Sequence, residues 1–259
     1  MRLENKIGIV TAAASGMGRA GAIRFAREGA AVGVVDIDQA GVDVVVGEIA
    51  AAGGRALGLV GDLRQDDFAR SIVRRTANAF GGLDFVWNHV GHPGPASIEG
   101  IDMADFEIAI DLNLRAVLVT TEAAIPEIRA RGGGALLYTA STSGIQGSAF
   151  SPVYSMAKFG VVGFVRSLAK RLAPDKIRVN AICPGPIDTP MLRIFVSRPD
   201  QQRTAGQDKE ELVQLRGRQN PMGRTGKPDE IANAALFLLS DEASFVSGAA
   251  LPVDGAATA

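Results

Sequence analysis

The chain has few of the residues that build staples, metal centres or aromatic cores. Its one cysteine, Cys183, cannot close an internal disulfide and, in VNAICPG, reads as core filling. Its two histidines, His89 and His92, lie three apart in NHVGHPGPA with no third Cys, His or acid cluster, so no metal is expected. Aromatics make up only 5% of the residues against 47% apolar, which leaves an aliphatic core of the kind formed where helices cover a parallel sheet. Charge of one sign is also missing. With 27 basic and 28 acidic residues the formal net charge is −1, so no general field draws in nucleic acid or an anionic membrane, and an anionic ligand must be held locally. Apolar runs such as ALFLL are far too short to span a bilayer. MRLENKIGIV has no signal-peptide pattern, and with the lone cysteine this places the expectation in the cytoplasm. No repeat of fixed period is visible.

Short β-branched runs alternate with longer helical patterns. KIGIVTA, AAVGVVD, RALGLVGD, LDFVWNHV, GALLYTAS, IRVNAIC and AALPVDG read as strands. Helices are expected near 17–29, 39–52, 66–80, 102–131, 152–173 and 228–240. This rhythm predicts an α/β, Rossmann-type doubly wound sheet of about seven parallel strands with helices on both faces, as a single domain over 1–259. The segment at about 190–227 breaks the rhythm. It is rich in charge and turn formers, as lids and binding loops are.

Three local patterns carry chemistry. After the first strand, TAAASGMGRAG places Gly16 and Gly18 at the opening of a helix, where bare backbone and a helix N-terminus can approach a pyrophosphate. Ala12 stands where the dinucleotide fingerprint has its first glycine, so this turn either avoids positive φ or carries slight strain. The second strand ends at Asp36, eighteen residues after Gly18, about where a carboxylate accepts hydrogen bonds from an adenosine ribose and repels a 2′-phosphate. Neither Ser15 nor Ile37 supplies the cation that such a phosphate needs, so NAD is favoured over NADP. Alone, Asp36 also fits a solvated strand end. Finally, YSMAK puts Tyr154 and Lys158 four residues apart, on one face of a helix. Taken alone, such a pair is also common on amphipathic surfaces.

With these residues together, the chain resembles the short-chain dehydrogenase/reductase family from Lys6 to Gly255. In that likeness Asn113 (DLNL), Ser141 (YTAS), Tyr154 and Lys158 stand in the order of the catalytic tetrad, Ser141 thirteen residues before Tyr154. The resemblance implies cofactor contacts at Ala12, Ser15, Gly16, Met17 and Gly18 in the turn, and at Asp36 and Ile37 by the ribose. It also implies contacts at Asp62 and Leu63 by the adenine, and at Asn88, Val90 and Gly91 along the fourth strand end. CPGPIDTPM looks like the nicotinamide-side segment, with Pro184, Gly185, Ile187 and Thr189 around the carboxamide. The family's Asn-Asn-Ala-Gly reads NHVG here, so His89 and Val90 depart from it, as does Ala12.

The expected chemistry is hydride transfer between NAD(H) and a small secondary alcohol or ketone, with Tyr154 as acid and base. A free phenol titrates near 10, and lowering it by about three units takes roughly 4 kcal/mol of preference for phenolate. Lys158 and the positive nicotinamide are the expected sources. By the family's pattern Lys158 also grips the nicotinamide ribose, and Asn113 holds a water in a proton relay through it. Ser141, at a strand end, can hydrogen-bond the substrate oxygen. His92 is expected to border the substrate cleft, with Ser143, Gln146 and Phe150 opposite, and few polar groups there point to a neutral substrate. Two rivals stay open: a non-catalytic NAD-binding redox regulator, and an enoyl reductase of the same fold, in which tyrosine and lysine usually stand seven apart. Broad apolar faces near 102–131 and 152–173, with the family's habit, imply a homodimer or homotetramer.

Overall fold

The computed structural model describes residues 1–201, 204 and 206–259. Its centre is one seven-stranded sheet in the order β3-β2-β1-β4-β5-β6-β7, with every neighbouring pair parallel. The strands are β1 (Ile7–Thr11), β2 (Ala31–Asp36), β3 (Arg55–Val60), β4 (Phe85–Asn88), β5 (Gly134–Thr139), β6 (Ile177–Pro184) and β7 (Ala250–Val253). Six fall within the runs predicted as strands, and β6 runs one residue past its predicted run, to Pro184. Strand order reverses between β1 and β4, and a doubly wound sheet opens its ligand crevice at the carboxyl ends of the strands at such a point.

Both faces of the sheet are apolar and both are covered. On one face α3 (Asp66–Phe80), α5 (Ala116–Ala130) and α6 (Pro152–Leu172) pack over side chains such as Ile9, Val86, Leu136 and Val179. On the other, α1 (Gly16–Arg27), α2 (Gln39–Ala51) and α9 (Pro228–Leu239) cover Val10, Val34, Trp87 and Leu137. Neighbouring residues of a strand serve opposite layers, as the period of two requires. Among the described residues no helix is long and apolar enough to cross a membrane.

Two regions differ from the predicted pattern. The helix expected over 102–131 is interrupted: α4 (Met103–Ile110) passes through a π turn, Asp111–Arg115, into α5. Asn113 sits in that turn, and its side-chain Nδ2 donates to the Ala109 carbonyl at 2.8 Å, the group its own backbone N–H would take in a regular α-helix. The second is the charged segment after β6, which carries two helices. In α7 (Pro190–Val196) the Thr189 hydroxyl caps the first turn and Pro190 presets its φ, while in α8 (Lys209–Gln219) the Asp208 carboxylate accepts from the backbone N–H groups of Glu210 and Glu211. Acids in the first turn of α8 and arginines in its last complement the helix dipole, so its charge pattern is itself a helix signal.

Candidate active site

The carboxyl ends of β1, β2, β4, β5 and β6 converge on one crevice. At its β1 side, Ala12 adopts φ +53° and Gly16 the same value, so the turn does take a left-handed residue at an alanine, at a cost of about 1–2 kcal/mol. Gly18 packs on this turn so closely that a Cβ there would lie 2.1 Å from the Ala12 carbonyl oxygen. Ser15 precedes α1 in extended conformation without capping it by its side chain, and the first turn carries no acid. The N–H groups at this helix start are therefore free of side-chain acceptors, and a pyrophosphate fits the cradle.

Asp36 ends β2 beside that turn. One of its oxygens accepts from Ala14 N at 2.9 Å and the other from Ile37 N at 2.7 Å and Asp38 N at 3.2 Å, which fixes the carboxylate at the cradle's edge. Ile37 is exposed, Leu63 is buried, and Met17 lines the crevice further in. Asp62 is engaged by the Arg64 backbone and guanidinium, whose hydrogen bonds hold its carboxyl below the usual carboxylate range. Thr11 Oγ1 accepts from His89 N at 2.8 Å and Val90 N at 3.0 Å, tying the ends of β1 and β4 together. Asn88 is buried at the end of β4, and Val90 packs into the core against the α3–α5–α6 layer.

The four tetrad positions come from three elements and meet at the end of β5. Lys158 is 2% exposed, and its Nζ donates to the Thr139 carbonyl at 2.9 Å and lies 5.4 Å from the centre of the Tyr154 ring. Tyr154 hydrogen-bonds Ser141, and Ser141 Oγ also accepts from Ser143 N at 3.1 Å. Asn113 gives its two amide hydrogens to the Ala109 and His92 carbonyls, each at 2.8 Å, which leaves Oδ1 facing Gly91. A side chain on Gly91 would come within 2.9 Å of that oxygen and 3.3 Å of Lys158 Nζ, so the absent Cβ is what leaves space between the two.

Burial governs the titration of this group. It pushes the Tyr154 phenol up to about 12, against the Ser141 hydrogen bond and, more weakly, the charge of Arg198. Lys158 does not supply the expected lowering in this state: its ammonium lies over the ring, 5.4 Å from its centre, and is spent on a carbonyl. Burial holds Lys158 itself down, at about 8. Beneath it, Trp87 Nε1 donates to Thr139 Oγ1 at 2.9 Å, and that hydroxyl meets His89 Nδ1 at 2.8 Å. Desolvation and then the nearby lysine charge hold His89 down at about 3, so it is a neutral imidazole sharing a hydrogen bond with Thr139.

Ser141 and Tyr154 open on a cavity of about 440 Å³, a size typical of small-ligand sites. Ser143, Gln146 and Phe150 line it, and Pro184, Gly185, Ile187 and Thr189 form its other wall. His92 is absent from that lining: its Nδ1 accepts from Gly94 N at 3.1 Å and lies 3.8 Å from Asp105. Among the described residues no cluster of three or more His, Cys, Asp or Glu could hold a metal.

Three residues of the segment after β6 escaped the sequence reading. Phe195 packs edge-on against Tyr154 with ring centres 5.3 Å apart, Arg198 lies 4.3 Å from the Phe195 ring, and Arg216 lines the cavity. The segment's charge density was the visible signal, but which charges turn inward is set by how α7 and α8 fold back.

A family model described as enoyl-(acyl carrier protein) reductase matches residues 11–258. The chain is 35% identical over 258 residues to cyclohexanol dehydrogenase from Acinetobacter sp. (strain SE19), covering 99% of this chain and 96% of that one. The crystal structure of levodione reductase superposes with a TM-score of 0.91 at 33% identity, covering 98% of each chain. A 7α-hydroxysteroid dehydrogenase complexed with NADH and 7-oxo glycochenodeoxycholic acid superposes with a TM-score of 0.88 at 34% identity, over 98% of this chain and 94% of the other.

The burial of Lys158 has a measurable consequence. Its folded pKa, about 8, lies below the ordinary 10.5, so the unfolded state binds more protons between those values and stability rises with pH across that window. Denaturant titrations from pH 8 to 10 are expected to show a smaller rise for Lys158→Met than for the wild type. Equal slopes would show that the lysine is not desolvated.

Proposed function

The chain belongs to the short-chain dehydrogenase/reductase family and is an oxidoreductase acting on CH–OH groups, and from that premise we propose that it transfers hydride between NAD(H) and a small secondary alcohol or ketone, with Tyr154 as acid and base. The observation that carries this reading is that Ser141 and Tyr154 line one cavity together with Pro184, Gly185, Ile187 and Thr189, with Lys158 one helical turn along from the tyrosine.

In this reading the α1 turn holds the pyrophosphate, Asp36 accepts from the adenosine ribose, and Pro184, Gly185, Ile187 and Thr189 hold the carboxamide. Bound there, the nicotinamide supplies the hydride acceptor or donor. The chain's own work is on the proton and the substrate oxygen. Ser141 and Tyr154 hydrogen-bond that oxygen, and Tyr154 takes the hydroxyl proton in oxidation or returns it to the carbonyl in reduction. A phenol held at about 12 stays protonated at neutral pH and cannot act as a base there, so oxidation needs positive charge brought to the site. Lys158 and Asn113, on either side of the space over Gly91, form the path by which the proton leaves. Enoyl reduction, the family model's description, is the less favoured chemistry, because Tyr154 and Lys158 stand four apart on α6 rather than seven.

Met191–Lys227 acts as a lid in this reading, supported by Phe195 over Tyr154. Exposed Leu118 on α5, and Met156 and Phe159 on α6, support a homodimer or homotetramer. A cytoplasmic location completes the proposal.

Oxidation of a panel of secondary alcohols, followed by NADH absorbance, tests the function. On the best substrate, Tyr154→Phe is expected to bind NAD⁺ normally and to lose roughly 100-fold or more in turnover. Normal turnover by that variant would sink the mechanism, and NAD⁺ binding without any turnover by the wild type would favour the redox regulator.

Because a 2′-phosphate would meet the Asp36 carboxylate, calorimetric titration is expected to give NAD⁺ at least about tenfold tighter than NADP⁺. An unchanged preference in Asp36→Ala removes Asp36 from the role. For the lid, backbone hydrogen exchange between 191 and 227 is expected to slow when cofactor and substrate are both bound. Equal protection with and without them counts against it.

A further inference from the structure

A charge in the lining of the cavity is the feature that the dehydrogenase reading leaves unexplained. Among the described residues lining the cavity, Arg216 alone is charged, and no acid faces it there. It is half-buried on α8 and lies 5.8 Å from the centre of the Phe150 ring. Two other arginines of the same segment are ion-paired: Arg193 with Asp188 and Glu210, and Arg224 with Glu230. Arg216 makes no ion pair with any described residue.

A second guanidinium lies behind the same wall. Arg198 is 5% exposed and donates to the carbonyls of Pro93, Gly94 and Phe150 and to Ser151 Oγ, while its Nε has no partner. No described carboxylate is within ion-pair distance of it. Asp200 and Asp105 offset its charge from further away, and Asp200 is occupied with the backbone N–H groups of Ala96 and Ser97. Arg198 feels the charge of Arg216, and burial disfavours both cations. A half-buried guanidinium that lines the cavity without an ion pair, with a second cation behind the wall, calls for an anion in the cavity.

We propose that the substrate carries a carboxylate as well as its reacting alcohol or ketone, and that Arg216 in the cavity lining takes it. A carboxylate matches the paired N–H edge of a guanidinium. Phe150, Met191, Leu192 and Phe195 give the cavity an apolar stretch that suits a compact hydrocarbon body. The substrate class is therefore a small hydroxy acid or oxo acid with an apolar frame, in place of the neutral alcohol expected from the sequence. This rests on the dehydrogenase reading for the reacting end alone.

The test compares a carboxylate with its neutral isostere. With NAD⁺ saturating, calorimetric binding of cyclohexanecarboxylate is expected to be about 10- to 100-fold tighter than that of cyclohexanecarboxamide, the range for a charge-assisted hydrogen bond. Arg216→Gln is expected to erase that advantage and Arg216→Lys to keep part of it, in proteins whose unfolding midpoints confirm the fold. Equal affinities in the wild type, or an advantage that survives Arg216→Gln, overturns the proposal. Turnover of ring hydroxy acids against their amides separates the two readings. Turnover indifferent to ligand charge leaves the dehydrogenase and removes the subsite, whereas Arg216-dependent carboxylate binding with no turnover of any alcohol leaves the subsite and removes the dehydrogenase.

Discussion

The crevice is organised around a buried ammonium. Lys158 sits in the interior with one carbonyl as its fixed acceptor, and a charge so placed is tolerated only where neighbouring dipoles are held to receive it. That carbonyl belongs to Thr139, whose hydroxyl joins Trp87 and His89, and Thr11 in turn joins β4 to β1. The floor of the site is thus one hydrogen-bonded surface across three strands. The same dry surroundings that hold the lysine low keep His89 neutral, so the only positive charge in the floor is the one behind Tyr154.

Tyr154 shows what this arrangement leaves undone. Its phenol is held on the acid side by burial, and the groups acting against burial, Ser141 and Arg198, do not overcome it. Proximity of Lys158 in sequence does not translate into a lowered phenol, because four residues along a helix place the ammonium over the ring, hydrogen-bonded to the Thr139 carbonyl. Basicity must therefore depend on what fills the site, which couples proton transfer to occupancy and protects the resting protein from a stray phenolate.

Much of this was legible in the sequence for physical reasons. Parallel strands buried on both faces must be continuous apolar runs, and all seven were visible as such. Gly18 was readable because a backbone that touches the Ala12 carbonyl tolerates no side chain. Tertiary choices were not readable. The π turn follows from the Asn113 amide capturing the Ala109 carbonyl, and no residue pattern announces that competition. His92 faces Asp105 because the loop after β4 turns on Gly94, and Phe195 and Arg216 reach the cavity only through the return of α7 and α8 across it.

The departures from the family's motifs are absorbed by structure rather than by chemistry. Ala12 keeps the left-handed backbone that a glycine would adopt freely, because Gly18 and the Asp36 contact to Ala14 fix the turn from both sides; the strain is stored at the phosphate cradle. His89 replaces an amide with a neutral ring that still shares a hydrogen bond with Thr139 and packs tilted against Trp87 with centres 4.8 Å apart. Val90 adds bulk where α3, α5 and α6 already pack. None of the three touches the hydroxyl of Tyr154 or the ammonium of Lys158. In the proposed reading, variation at the first turn and at the end of β4 tunes how firmly a dinucleotide is held while Ser141, Tyr154 and Lys158, at the end of β5 and on α6, keep their geometry.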